Sequence, residues 1–279
     1  MSVINALALR NLKIFWRNKP ALILNLIVPF FFIFVFGEIF ALAGGVGDIR
    51  AYMLVGIVAT MMFESSLRIS SRTIEDISSG FMKEVLVSPV SRMQIAIGQF
   101  VSSAVISAVQ GTLILAGGAL IMGYRITTPM TVLWAMLAML FIGIVFAGFG
   151  LMMAAKSKNM TTFQAVSMAI TMPMTFISGA YIPVMQLPTF LQWVAYFNPL
   201  SYAVNFFRIV SLEATHLTVA EQIEAGFAFE FWGIQLGFYH SVIILTIFGA
   251  IFLALSTWTF ARLDFSKLNR QAATFNMFE

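Results

Sequence analysis

Apolar residues arrive in six long unbroken runs, at 21–43, 51–71, 94–122, 131–155, 161–178 and 241–261. Crossing about 30 Å of hydrocarbon takes about 20 mainly apolar residues in a helix. None of the runs alternates polar with apolar residues, which argues against a transmembrane barrel. A soluble fold fails on supply of polar surface. Only 10% of the residues are charged and 60% are hydrophobic, whereas soluble domains carry roughly 25% charged residues. The runs and their connections use the whole chain. The expected fold is all-α: a polytopic membrane protein with six transmembrane helices, forming a single transmembrane domain over residues 1–279.

The basic residues give this arrangement a direction. Thirteen Lys and Arg flank one side: Arg10, Lys13, Arg17 and Lys19, then Arg68, Arg72, Lys83 and Arg92, then Lys156 and Lys158, then Arg262, Lys267 and Arg270. Three fall on the other side, Arg50, Arg125 and Arg208. The asymmetry alternates correctly over every loop, so the positive-inside rule places both termini in the cytoplasm of a multi-pass plasma-membrane protein. No small-residue cleavage site follows a short apolar core, so no cleavable signal peptide is expected.

Three segments are not ordinary spans. Within residues 1–20, Arg10, Lys13 and Arg17 share one helical face, with Ile4, Ala8, Leu12 and Phe15 opposite. That pattern fits an interfacial helix in contact with membrane lipid; a charged topology flank is the plainer alternative. In the cytoplasmic loop 73–92, Ile74, Ile77, Phe81, Val85 and Leu86 recur mostly at helical spacing, with Glu75, Asp76, Lys83 and Glu84 between them, and Pro89 ends the pattern. Exposed apolar side chains there require a protein partner or the membrane surface. The third segment, 179–240, opens with apolar pieces interrupted at Pro183, Pro188 and Pro199. The pieces are too short to cross, and broken helices persist at membrane depth only inside protein or along a cavity. The expectation is a re-entrant hairpin entering from the outside, followed by an acidic external loop.

Bond-making chemistry has little to work with. There is no cysteine, and His216 and His240 stand apart, so no metal site is expected. No phosphate-binding G-x-x-x-x-G-K-[ST] loop occurs, so ATP hydrolysis in the P-loop manner must belong to another chain. The chain is expected to bind no cofactor of its own and no nucleic acid. Glu64 and Arg68, at i and i+4 in the second run, are an intramembrane charge pair. Such a pair is either self-neutralised or functional.

Residues Gly179-Ala180-Tyr181-Ile182-Pro183, Leu187-Pro188, Leu191-Gln192 and Asn198-Pro199-Leu200-Ser201-Tyr202 resemble the extracellular hairpin of type 2 ABC exporter permeases. The stretch from Glu84 to Arg92 is similar to that family's cytoplasmic coupling loop. The resemblance implies an exporter permease that works with two ABC ATPase subunits, which carry ATP and Mg, and with a second permease copy or paralogue. It implies ATPase docking at Ile77, Phe81, Glu84, Val85, Leu86 and Pro89. The proline-broken hairpin is expected to cap the outer end of the path as an extracellular gate, at Gly179, Tyr181, Pro183, Pro188, Asn198 and Pro199. The family's large-domain members are poor templates, because no large extracellular domain is present. Aromatic and methionine content leans toward an amphipathic or lipid-like cargo, of drug or lipo-oligosaccharide type. Two rivals remain open at this point. A secondary transporter would show inverted repeats, and a membrane-embedded enzyme would cluster His, Asp or Glu at one depth.

Overall fold

The computed structural model describes residues 3–42, 49–79, 92–124, 128–157 and 159–261. The chain is helical almost throughout: α1 Val3–Arg17, α2 Lys19–Leu42, α3 Ile49–Ser78, α4 Arg92–Met122, α5 Pro129–Lys156 and α6 Met160–Ile177 come first. After a 3₁₀ turn at Val184–Gln186 follow α7 Thr189–Tyr196 and α8 Pro199–Ser211. A second 3₁₀ turn, Ala214–His216, leads to α9 Val219–Glu224, strands β1 Phe229–Phe231 and β2 Ile234–Leu236, and α10 Phe238–Ala261. Among the described residues five helices, α2, α3, α4, α5 and α10, are long and apolar enough to cross a membrane. The run at 161–178 corresponds to α6, an 18-residue helix with Pro173 inside it.

Local chemistry sets the boundaries. Thr128 and Asn159 cap α5 and α6 by accepting from the Thr131 and Thr162 amides, which satisfies donors that a helix start leaves free. The prolines of the 179–240 segment act as starters as much as breakers. Pro183 and Pro188 stand extended just before the first 3₁₀ turn and α7. Pro199 opens α8, where its missing N–H costs nothing. Asn198 accepts from the Leu200 amide at 3.0 Å and donates to the Met174 carbonyl at 2.8 Å in the last turn of α6.

A small two-stranded sheet is added to the all-α fold. β1 and β2 pair antiparallel, with Phe229 opposite Leu236 and Phe231 opposite Ile234. Trp232 and Gly233, at φ of 51° and 78°, make the tight two-residue turn whose twist suits a hairpin.

α3 lies at the centre. It packs on α2, α4, α5, α6 and α8, and its side chains Leu54, Ile57, Met62 and Phe63 are among the most deeply buried. α1 packs on α4. Its inward residues are Leu7, Asn11 and Phe15, with Ile4, Ala8 and Leu12 half-buried. Arg10 therefore does not belong with Lys13 and Arg17 on a solvated face. It makes a two-pronged ion pair with Asp76 of α3, at 2.9 and 2.5 Å. That hydrogen-bonded contact raises the Arg10 guanidinium above its ordinary value despite the opposing cost of burial. Asn11 donates to Gln99 at 3.2 Å, and its carbonyl accepts from Arg72 at 2.9 Å.

Candidate functional site

All thirteen residues of α8 are buried, so this helix of the segment after the fifth run folds into the protein. Its last turn carries Arg208, which has no exposure at all. The guanidinium lies over the Tyr52 ring of α3, 3.6 Å from the ring centre. Its Nη2 donates to the Gly179 carbonyl at 3.0 Å and the Ala180 carbonyl at 3.3 Å. The Tyr52 hydroxyl lies within hydrogen-bonding reach of the Gly179 carbonyl at 3.1 Å and the Gly226 carbonyl at 3.2 Å. One cation and one phenol thus tie α3, the turn after α6, α8 and the loop before β1 into one node.

Two glycines make the node possible. Gly179 adopts φ of +83°, where a side chain is strained, and its carbonyl serves both Tyr52 and Arg208. Gly56 sits one turn along α3 from Tyr52, on the same face. A Cβ there would run into the Ala180 carbonyl and come within 2.6 Å of Arg208 Nη2. The absent side chain is what lets the turn at 179–180 lie against α3.

A buried cation is stable only when its hydrogens and charge are compensated. Among the described residues, the groups found around Arg208 are carbonyl dipoles and the negative face of an aromatic ring, which attracts cations. Its Nε has no hydrogen-bond partner among them. Such a charge persists because the surrounding backbone is fixed.

The hairpin residues singled out from sequence divide unequally around this node. Gly179 is part of it. Tyr181 stacks on Phe176 with ring centres 5.6 Å apart. Together with Tyr52, Pro183, Gln186 and Gly226 it lines a cavity of about 220 Å³. Pro188, Asn198 and Pro199 stand further along, at the starts of α7 and α8. Trp193 and Tyr196 of α7 pack on Phe231 of the small sheet. In α9 Glu221 closes a capping box on Thr218. Those hydrogen bonds hold its carboxyl below the usual carboxylate range.

Glu64 and Arg68 are not part of the node. They face each other at 3.6 Å, roughly 18 Å further along α3 at 1.5 Å per residue. Arg68 also donates to Gln110 of α4 at 3.4 Å. Ile77 lies in the last turn of α3. Phe81, Glu84, Val85, Leu86 and Pro89 lie outside the described residues.

Sequence reasoning missed Arg208 as a site residue and counted it among the charges of an external flank. The correction has a signal behind it. Arg208 interrupts the apolar stretch PLSYAVNFFRIV, and an ionisable residue within an apolar segment marks function by default. Tyr52 gave no such signal, because in an apolar run a tyrosine reads as packing.

Comparison with known proteins places this architecture. The family described as "ABC-2 type transporter" matches residues 2–212, from α1 through the end of α8. The transport permease ycf38 of Cyanophora paradoxa is 26% identical over 243 residues, covering 84% of this chain and 81% of its own length. Nodulation protein J of Rhizobium leguminosarum bv. trifolii is 25% identical over 223 residues, covering 75% and 82%. YbhR of Escherichia coli (strain K12), described as a multidrug ABC transporter permease, is 23% identical over 173 residues. That alignment covers 62% of this chain and 46% of YbhR.

Proposed function

Because the chain belongs to the ABC-2 type transporter family of transport permeases, we propose that it forms the transmembrane path of an exporter driven by a separate ATPase. In this reading two ABC ATPase subunits bind ATP and Mg, and two permeases, either copies of this chain or this chain and a paralogue, assemble on them. The permease makes and breaks no bonds; it contributes different contacts to two states of the assembly. The six-span topology has both termini in the cytoplasm of the plasma membrane, and α6 is the fifth span.

The observation that carries the mechanism is the course of α3. This single 30-residue helix begins beside the Arg208 node, through Tyr52 and Gly56, and ends at Ser78, just before residues 80–91. A helix of that length spans roughly 45 Å. Closure of the ATPases would push on the loop, and α3 would carry the displacement to the turn at Gly179. The hairpin from Gly179 to Tyr202 then acts as the outer gate.

An apolar cleft of about 710 Å³ between α5, α8 and α10 supports an amphipathic or lipid-like cargo. Trp134, Phe141, Phe206 and Tyr239 line it, with Glu213 and Thr131 also in its wall. The cargo is of drug type, in keeping with the description of YbhR, or a lipo-oligosaccharide.

Docking is tested by changing Phe81 and Leu86 to Asp. Burying unpaired charge in an apolar contact costs about 3–5 kcal/mol, so the variant should insert normally yet lose co-purification of the ATPase and transport. Retained co-purification would remove this loop from the interface. A reporter fused at Glu279 or Lys158 should read as internal and one near Glu221 as external; an external signal at Lys158 would contradict the topology.

A further inference from the structure

A second polar cleft, of about 90 Å³, lies where α1 turns into α2 against α3 and α4. Arg68 and Arg72 line it, together with the amides of Asn18, Asn25 and Gln110 and the apolar side chains of Phe15, Leu22 and Ile69. Its chemistry differs from that of the gate, because two guanidinium groups converge on it.

Arg68 and Arg72 have carboxylates nearby, Glu64 and Glu75, yet each keeps unused donors. Asp76 is committed to Arg10 through both carboxylate oxygens. Glu64 forms an i, i+4 ion pair with Arg68 at 3.6 Å, with Arg68 44% and Glu64 29% exposed, and it engages one Nη of the guanidinium. Arg72 donates one hydrogen to the Asn11 carbonyl, with Glu75 nearby in the next turn. A guanidinium carries five donors, so both arginines retain hydrogens for a further acceptor.

Gln110 adds an independent sign. It is 1% exposed. Its Oε1 accepts from Arg68 Nη2, which fixes the orientation of the amide. Its Nε2 then has no hydrogen-bond partner. A buried donor without an acceptor costs about 1–3 kcal/mol, and here it sits in the wall of a cleft that two cations also line.

Depth selects the ligand. With Ile49 at one edge of the hydrocarbon, Arg68, roughly 28 Å along α3, falls at the far edge of about 30 Å. That is the level of lipid phosphates. From the cleft α2 continues with exposed Ile23, Leu24, Ile27 and Phe31, an apolar surface along which acyl chains can lie. We propose that this cleft binds the phosphate of a phospholipid from the leaflet in which α1 lies. Arg68 and Arg72 neutralise the phosphate and Gln110 Nε2 donates to one of its oxygens. A bound lipid would pin the α1–α2 junction to the end of α3.

The test uses the full-length permease in detergent, titrated by calorimetry with dihexanoyl phosphatidic acid, inorganic phosphate and dihexanoylglycerol. The phosphatidate should bind saturably, inorganic phosphate should bind at least tenfold more weakly, and the diacylglycerol should not bind. Arg72→Gln should weaken phosphatidate about tenfold, the loss expected for a charge-assisted contact. Gln110→Glu keeps the shape and the acceptor for Arg68 but turns an anion toward the cleft. It should abolish phosphatidate binding while leaving the unfolding temperature unchanged or raised. Inorganic phosphate binding as tightly as the lipid would support the anion site but assign it to a soluble phosphate. Wild-type phosphatidate affinity in both variants would overturn the proposal.

Discussion

α2 and α3 are both long helices that cross the membrane, yet they solve opposite problems. In its most apolar stretch α3 is 89% buried and α2 only 22%. The buried helix is the more polar one. α3 carries Tyr52, Thr60, Ser65, Ser66, Ser70, Ser71, Thr73 and Asp76 in buried positions. Several of its hydroxyls fold back onto carbonyls one turn earlier, as Ser66 does on Met62 at 3.0 Å and Ser70 on Ser66 at 2.9 Å. α2 instead leaves Ile23, Leu24, Ile27, Phe31 and Phe34 exposed. In water apolar surface seeks the interior. In lipid apolar surface is indifferent to which side it faces, and close approach and hydrogen bonds between helices decide what is buried. The lesson is that polar residues in the apolar runs, not the most apolar ones, locate the centre of this protein.

The comparison breaks most visibly at Arg208. Replacing it with Ala removes a cation–π contact and leaves the Gly179 and Ala180 carbonyls short of a donor, at a cost of about 2–4 kcal/mol. Thermal unfolding in detergent should fall accordingly, and amide exchange at 179–182 should lose protection. Arg208→Lys keeps the charge but loses the planar fork, so it should fall between. Unchanged protection in the Ala variant would mean that the node does not hold the turn.

A smaller effect separates the two helices directly. Gly56→Val forces a side chain into the Ala180 backbone, and overpacking of this kind costs about 1–3 kcal/mol. Phe31→Ala on α2 deletes a larger group from a site 62% exposed. It should change stability by no more than about 0.5 kcal/mol. Equal effects from the two substitutions would erase the distinction between a buried helix and an outward-facing one.

Much of the framework was legible because it is local. The runs at 94–122 and 131–155 coincide closely with α4 and α5, since length and continuity of apolar sequence are what a spanning helix requires. Pro183, Pro188 and Pro199 marked the broken segment because proline fixes φ wherever it stands. The illegible parts depend on distant partners. Nothing near Arg10 announces Asp76, and helical spacing alone turned Arg10 toward solvent. Asn11 points inward because Gln99, 88 residues away, receives it. The β1–β2 pair is three residues a side, too short for alternation to show. Arg208 was visible as a charge, but its place inside the protein depends on a ring, two carbonyls and a missing Cβ contributed by other segments.

Export assayed in proteoliposomes, with the partner ATPase present, tests most directly whether the hairpin is the gate. The informative variant replaces both Pro183 and Pro188 with Ala. These prolines start the first 3₁₀ turn and α7 from extended backbone, so their loss lets helix run through the break and stiffens the outer end of the path. Normal insertion and normal ATPase binding, with export reduced several-fold, is the predicted result. Export at the wild-type rate would show that the hairpin is a fixed plug, and would contradict its assignment as the gate.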